Sequence, residues 1–339
     1  MITLDAIRKT YPLDAGFFAR EGRYVYAVNG VSTVIQPNQI YGLVGESGCG
    51  KTTIARLLVR MEKLTSGRIV YRDSDGREFD PATVDRRGLR DLRSRIRYIF
   101  QDPARSLNPR LTISEVLLSG YRYSPRWPGS AQAREDAGRL LEAVGLRKKD
   151  MERRPADFSG GQRQRISIAR ALITRPEVLI CDEVVSALDV SIQGQILNLL
   201  LQLREELRLT IVFIAHDLAV VSYVSDRIGV MYRGVLVEDG DAQDVVKKRA
   251  HPYTRYLFDA LPVLGKAAGR SEAAMQSPFS RSFDPTVNPT DGRQAVKQTD
   301  GAPDSAVRRE ESTEISPGHY VSNLFGYDDS DGYAGKSTS

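Results

Sequence analysis

The sequence predicts an α/β fold, on three stretches. Ile40-Tyr41-Gly42-Leu43-Val44 is an apolar run of strand length, and Thr53-Ile54-Ala55-Arg56-Leu57-Leu58 reads as a helix, with glycines crowded between the two. Glu177-Val178-Leu179-Ile180-Cys181-Asp182-Glu183 is a continuous apolar run that closes on two acids, and Thr210 to Ala215 is another that closes on His216-Asp217. Continuous apolar runs of this length are strands buried on both faces, as in a sheet covered by helices. At 339 residues and 41% hydrophobic content, the chain can fill one large α/β domain or two smaller ones.

The glycine-rich stretch is Gly45-Glu46-Ser47-Gly48-Cys49-Gly50-Lys51-Thr52. It fits G-x-x-x-x-G-K-[ST], the P-loop that cradles nucleotide phosphates. Its glycines let the backbone turn sharply and bring N–H groups against phosphate oxygens. The loop runs into a helix N-terminus, where the dipole favours anions. Lys51 is expected to reach the β- and γ-phosphates, and the Thr52 hydroxyl to bind Mg²⁺. Thr53 completes the expected nucleotide contacts. Cys49, at the same helix terminus, is expected to have a lowered thiol pKa. Alkylation would then block nucleotide binding, and nucleotide would protect.

In chain order, Ile2 to Tyr11 reads as a strand, Pro12 to Arg23 as a loop and Tyr24 to Val34 as a strand. Tyr11 is an aromatic close upstream of the loop; taken alone, it is an ordinary strand-end tyrosine. Gly67 to Tyr71 is a further strand. Arg86 to Arg97 is dense in arginine, the pattern of a solvated helix face. Gln101 ends an apolar strand before the break at Asp102-Pro103, and a polar amide at that edge of an α/β sheet lies where ligands bind. Thr112 to Val144 has helical periodicity, interrupted from Tyr121 to Gly129, and forms a helical insertion ending at Pro155-Ala156-Asp157-Phe158. Ser159-Gly160-Gly161-Gln162 opens another helix, with Ser159 as N-cap and two glycines leaving first-turn N–H groups uncovered, a second anion site. Of the two acids after the buried strand, Asp182 suits a metal shell and Glu183 suits a base that takes a proton from water. Ser186-Ala187-Leu188-Asp189 is a turn into a helix from Gln195 to Leu207. His216 stands at a strand end, where it would bond a γ-phosphate or hold water. Met231 to Glu238 reads as a last hairpin strand, Gln243 to Arg249 as a helix, and His251-Pro252-Tyr253-Thr254 opens another that reaches Leu261. From Gly265 the chain is rich in Ser, Pro, Asp, Gly and Arg, the composition of a disordered or loosely packed segment.

The two cysteines, Cys49 and Cys181, both fall inside nucleotide-type motifs, so no disulfide framework is expected and a reducing cytosol is. Met1 to Asp5 lacks the basic and apolar regions of a signal peptide. No apolar run approaches the ~20 residues a spanning helix needs. A net charge of +5 is modest for this length and identifies no partner.

Gln101, Ser159 to Gln162, Asp182-Glu183, Asp189 and His216, in this order after a P-loop, resemble the ABC-transporter ATPase subunit over roughly residues 1–261. The resemblance implies a P-loop NTPase core of the ABC ATPase type, with an N-terminal antiparallel β subdomain and a helical insertion at about 103–172. The ATPase domain would span 1–264, and 265–339 would be a C-terminal extension, largely loop or disordered. ATP and Mg²⁺ are the implied cofactors. Tyr11 becomes the adenine-stacking residue, and Gln101 the glutamine near Mg²⁺ and the membrane partner. Ser159, Gly160, Gly161 and Gln162 become the signature that reaches ATP across a dimer, with Phe158 where leucine is commoner. Asp182 becomes the metal aspartate, Glu183 the catalytic base, Ser186 to Asp189 the D-loop and His216 the switch histidine.

Phe100 to Arg110, Phe158 to Arg165, Ser186 to Gln193 and His251-Pro252-Tyr253-Thr254 are similar to the oligopeptide/dipeptide importer branch. That branch implies a second ATPase subunit (a paralogue or a copy), two membrane permeases and an extracytoplasmic solute-binding protein, on the cytoplasmic face of the inner membrane, with no nucleic acid. The rival is a soluble ABC-type ATPase acting on nucleic acid or ribosomes; such proteins usually carry two cassettes or long coiled-coil insertions, which this chain lacks. Two departures stand out. Val184 replaces the family's proline and is expected to loosen Glu183. The tail has none of the family's cysteines, so no iron–sulfur cluster is expected, although Pro317 to Val321 resembles a remnant of the family's C-terminal motif.

Overall fold

The computed structural model describes residues 1–12, 24–102, 106–259 and 312–322. The first strands are β1 (Ile2–Pro12), β2 (Tyr24–Ile35) and β3 (Ile40–Val44), with helix α1 (Lys51–Leu58) after the P-loop. Next come β4 (Ser66–Arg72), β5 (Glu78–Phe79), α2 (Arg86–Arg95) and β6 (Ile96–Ile99). Helices α3 (Ile113–Tyr121), α4 (Ser130–Ala143) and α5 (Gly160–Leu172) lead to β7 (Val178–Asp182). Then α6 (Val190–Leu207), β8 (Thr210–Ile214), α7 (Leu218–Val224), β9 (Arg227–Tyr232) and β10 (Val235–Asp241) follow. The last described elements are α8 (Ala242–Lys248), α9 (Pro252–Asp259), β11 (Ser312–Ser316) and β12 (His319–Ser322).

The strands form two sheets. The smaller has the order β2-β1-β4-β5 and is antiparallel throughout. The larger has the order β11-β12-β10-β9-β3-β8-β7-β6. Within it β9, β3, β8, β7 and β6 pair in parallel, each with its neighbour. Their carboxyl ends therefore share one edge, and the residues following β3, β6, β7 and β8 meet there. Strands β3, β7 and β8 are buried along their whole length, as their unbroken apolar runs require. One core cluster lies between this sheet and helices α3 to α6; the other lies between the two sheets and α1.

Several expectations need correction. The single strand read from Met231 to Glu238 is a hairpin, β9 and β10. Arg233 at φ 49° and Gly234 at φ 80° make the two-residue turn, inside what reads as one apolar run. The helix read from Gln195 begins at Val190, right after the D-loop turn. The arginine-rich run is not simply a solvated face: Arg95 is buried and its guanidinium meets Asp73 at 2.9 Å and Glu177 at 2.7 Å. The extension past residue 264 adds a hairpin, β11 and β12, whose β12 pairs with β10 at Glu238–Val321. The loop at 13–23, the break at 103–105 and residues 260–311 lie outside the described residues.

Candidate functional site

The P-loop is shaped by its glycines at two points where nothing larger fits. Gly45 has φ +148°, and a Cβ added there would lie 2.1 Å from the Met231 carbonyl oxygen on β9. Gly50 has φ +112°, and its Cβ would lie 2.1 Å from the Ala27 carbonyl on β2. The loop is thus wedged between β2 and β9, with Ser47 and Gly48 facing solvent. The Lys51 ammonium is buried and donates to the carbonyls of Gly45 at 2.7 Å and Glu46 at 2.8 Å. Tyr11, half-buried at the end of β1, lies under the Lys9 ammonium, 4.6 Å from its ring centroid, and its hydroxyl faces Thr53 and Glu62.

The end of β7 supplies the acids. Thr52 Oγ1 donates to Asp182 Oδ1 at 3.1 Å, across 130 positions of sequence. Tyr98 on β6 donates to the other oxygen, Oδ2, at 2.5 Å. Tyr98 was not singled out by its motif context; a strand tyrosine three positions before Gln101 carries no signal until β6 is laid beside β7. Burial and the Asp182 carboxylate push its phenol well above the usual range, so the hydroxyl keeps its proton and stays a donor.

Glu183 is held in the left-handed region at φ 50°, a conformation that costs a non-glycine residue energy and persists where its surroundings impose it. Its N–H donates to the Ile214 carbonyl at 2.9 Å, and its carbonyl accepts from Ser186 Oγ at 2.9 Å. Val184 and Val185 are buried in the larger core. The loosening expected from valine in place of proline is therefore opposed by packing: buried side chains restrain what a ring would have restrained. The Gln101 amide, after β6, donates to Glu183 Oε2 at 2.5 Å. His216 Nδ1, after β8, lies 3.9 Å from Glu183 Oε1, just beyond hydrogen-bond reach.

Thr52 and Asp182 offer hard oxygen donors, the type that suits Mg²⁺. Among the described residues no three His, Cys, Asp or Glu side chains gather into a metal cage. Mg²⁺ commonly takes only one or two carboxylates plus substrate phosphates, so the pair fits.

The signature lies on another surface. Ser159 accepts from the Gln162 N–H at 3.3 Å, and Gln162 accepts from the Ser159 N–H at 3.0 Å, a reciprocal cap. One first-turn N–H is thus already satisfied, contrary to the fully uncovered terminus expected from the two glycines. Ser159, Gly160 and Gln162 are exposed, and among the described residues no hydrogen bond joins them to the P-loop. The D-loop packs beside them: a Cβ on Gly160 would lie 3.9 Å from Leu188. Ser186, Ala187 and Asp189 are exposed, and the Asp189 side chain does not cap α6.

Cys49 reverses its expectation. Its thiol is buried, and burial pushes its pKa up despite the helix terminus and the Lys51 ammonium 3.6 Å away. Desolvation of the thiolate outweighs the favourable local charge.

Strand, phosphate loop, helix and paired acids on one parallel edge define a P-loop nucleotide-binding protein. The ABC transporter family matches residues 28–186. The probable peptide ABC transporter ATP-binding protein y4tS of Sinorhizobium fredii (strain NBRC 101917 / NGR234) is 41% identical over 295 residues, covering 86% of this chain and 80% of that protein. Oligopeptide transport ATP-binding protein OppF of Bacillus subtilis (strain 168) is 39% identical over 299 residues, 88% of this chain and 90% of that one. Glutathione import ATP-binding protein GsiA of Escherichia coli (strain K12) is 42% identical over 317 residues, and this chain spans 46% of that protein's length. The dimeric post-hydrolysis structure of the ATP-binding cassette MJ0796 bound to ADP and Pi matches with a TM-score of 0.61 at 27% identity, over 71% of this chain and 99% of that one. The chain belongs to the ATP-binding proteins of ABC transporters and is an ABC-type ATPase. These matches lend nothing to a nucleic-acid or ribosome role. Among the described residues no helix is long and apolar enough to cross a membrane.

Proposed function

We propose that this chain hydrolyses ATP to drive import of peptides or related small solutes, working with a second ATPase subunit, two membrane permeases and an extracytoplasmic binding protein. It would sit at the cytoplasmic face of the inner membrane. The observation that carries this is the convergence of Thr52, Asp182, Gln101, Glu183 and His216 on one sheet edge, in a chain about two-fifths identical to proteins named for peptide transport.

In this mechanism Lys51 turns from the loop carbonyls to the phosphate oxygens, and Tyr11 offers its ring to the adenine. Thr52 and Asp182, with Gln101 beside them, would hold Mg²⁺, which neutralises charge on the phosphate oxygens. Glu183 accepts a proton from the attacking water while Gln101 and His216 orient it. Ser159 to Gln162 of a second subunit close over the γ-phosphate, and the exposed D-loop, Ser186 to Asp189, lines the same face. ATP thus bridges two subunits, and hydrolysis removes the bridge. The open groove lined by Met61, Arg97, Phe100 and Arg170, next to Gln101, suits the permease contact.

The test is reconstitution of the chain with its permeases in vesicles. Hydrolysis should rise when a peptide-loaded binding protein is added, and peptide should accumulate. Vesicles that hydrolyse ATP yet move no peptide would refute the importer assignment.

A further inference from the structure

The C-terminal hairpin touches the core through a chain of buried polar contacts that the mechanism above does not use. His319 on β12 is fully buried, and its Nε2 lies 2.8 Å from Glu238 Oε1 on β10. Gly240 makes room for the ring: a Cβ there would lie 2.8 Å from the imidazole Cδ2. Glu238 is 1% exposed, and its two oxygens also accept from the backbone N–H groups of Ala250 at 3.2 Å and His251 at 3.0 Å. The turn into α9 is thereby fixed, and His251 Nδ1 accepts from the Tyr253 N–H at 3.1 Å.

Tyr253 is fully buried, with its ring 4.2 Å from that of Tyr232. Its hydroxyl reaches the P-loop, where it accepts from the Glu46 N–H at 3.0 Å. That N–H belongs to the same peptide unit as the Gly45 carbonyl, to which Lys51 donates at 2.7 Å. One planar peptide is therefore held at both ends, by Tyr253 on the nitrogen side and by Lys51 on the oxygen side. It sits at Gly45, where φ is +148° and the loop departs from β3. Rotating this peptide would redirect the loop amides and remove an acceptor from Lys51.

We infer that Tyr253 is a positioning residue for the nucleotide loop, and that the C-terminal hairpin holds it in register through His319 and Glu238. This rests on the loop's being the ATP site. The hairpin acts as a remote brace: it touches no nucleotide, yet it steadies a loop peptide that supplies one of the two carbonyls to which Lys51 donates. This amide is shielded in part from solvent, and loss of the Tyr253 hydroxyl takes away its partner, so the Glu46 N–H seeks another by moving the loop.

The experiment measures ATP binding to the full chain by calorimetry, and KM and kcat for ATP in the reconstituted transporter. Wild-type chain that bound no ATP would overturn the nucleotide assignment beneath this inference, so it is measured first. Tyr253→Phe should weaken ATP binding ~5-fold, the scale of one lost hydrogen bond. KM should rise by a similar factor while kcat stays within about twofold. His319→Leu should weaken binding comparably, and His319→Gln, which keeps a donor facing Glu238, should bind more tightly than His319→Leu. The double variant Tyr253→Phe with His319→Leu should be no weaker than the weaker single variant, since both act on one linkage. Wild-type affinity in Tyr253→Phe would overturn the role of the tyrosine. Multiplying effects in the double variant, or equal weakening by His319→Leu and His319→Gln, would overturn the linkage to the hairpin.

Discussion

Tyr98 and Thr52 divide the Asp182 carboxylate between them, the phenol on Oδ2 and the threonine hydroxyl on Oδ1. The two donors come from different elements, strand β6 and the first turn of helix α1, and they fix the plane of the acid that closes β7. With the phenol on Oδ2, Oδ1 is kept facing Thr52, the kind of orientation that outer partners give to metal ligands generally. Removal of such a partner commonly costs 10- to 100-fold in metal affinity or activity. Tyr98→Phe should therefore raise the Mg²⁺ concentration needed for half-maximal hydrolysis by ~10-fold. A magnesium titration unchanged from wild type would show that Asp182 needs no second donor.

Glu183 stands apart from that pair, bonded to Gln101 and held at a positive φ. Glu183→Gln keeps size and shape but cannot take a proton. A positioned base contributes ~10²- to 10⁴-fold, so turnover should fall by that range while ATP binding persists. With hydrolysis blocked, ATP should also drive two ATPase subunits together, read by size-exclusion chromatography. Wild-type turnover in this variant would rule out Glu183 as the base.

Burial of Cys49 and Cys181 sets their reactivity, and both thiols are pushed up by desolvation. A raised pKa leaves the thiol protonated at neutral pH, and the thiolate is the reactive form. Iodoacetamide at pH 7 to 8 should therefore add slowly to the native chain and at both sites after denaturation, as intact-mass measurement would reveal. The rate on native protein should climb only as pH rises above the ordinary thiol range. Rapid single labelling of Cys49 at neutral pH would mean that the helix terminus prevails over burial.

Arg95 is the hub of a polar cluster under the smaller sheet, paired with Asp73 and Glu177 while Tyr71 donates to Glu177 at 2.8 Å. The Asp73 side chain has no exposed surface. Arg95→Ala leaves that buried carboxylate with only the more distant, largely exposed Arg77 guanidinium at 3.9 Å, and breaking a buried pair costs ~3 kcal/mol in comparable cases. The urea midpoint should drop accordingly, while ATP affinity of the folded chain should hold. A midpoint within error of wild type would show that water reaches Asp73 and replaces the guanidinium.

Much of the site is written locally. The P-loop can be read because a turn at φ +148° and one at +112° demand glycine, and a lysine and a threonine must follow on the first helical turn. The acids at Asp182 and Glu183 can be read because a buried strand cannot end on two carboxylates without a use for them. The parallel sheet follows from unbroken apolar runs, and Ser159 from being a good N-cap ahead of a glycine-rich helical turn; its reciprocal cap with Gln162 came only from the structure. The hairpin turn at Arg233-Gly234 was hidden inside apolar residues, and the start of α6 at Val190 followed directly on a D-loop that looks like a turn.

The sequence by itself determined the class of chemistry: which residue types face phosphate and which close the strand, because those needs are met within a few bonds of each motif. Tertiary structure alone decided who steadies them. Tyr98 meets Asp182 across 84 positions, Tyr253 meets Glu46 across 207, and His319 meets Glu238 across 81. No local period encodes such pairs, and the burial that silences Cys49 depends on how β2 and β9 close around the loop. A hydrogen bond of this kind exists only once the sheet order has brought distant strands side by side, so it is a property of the assembled fold.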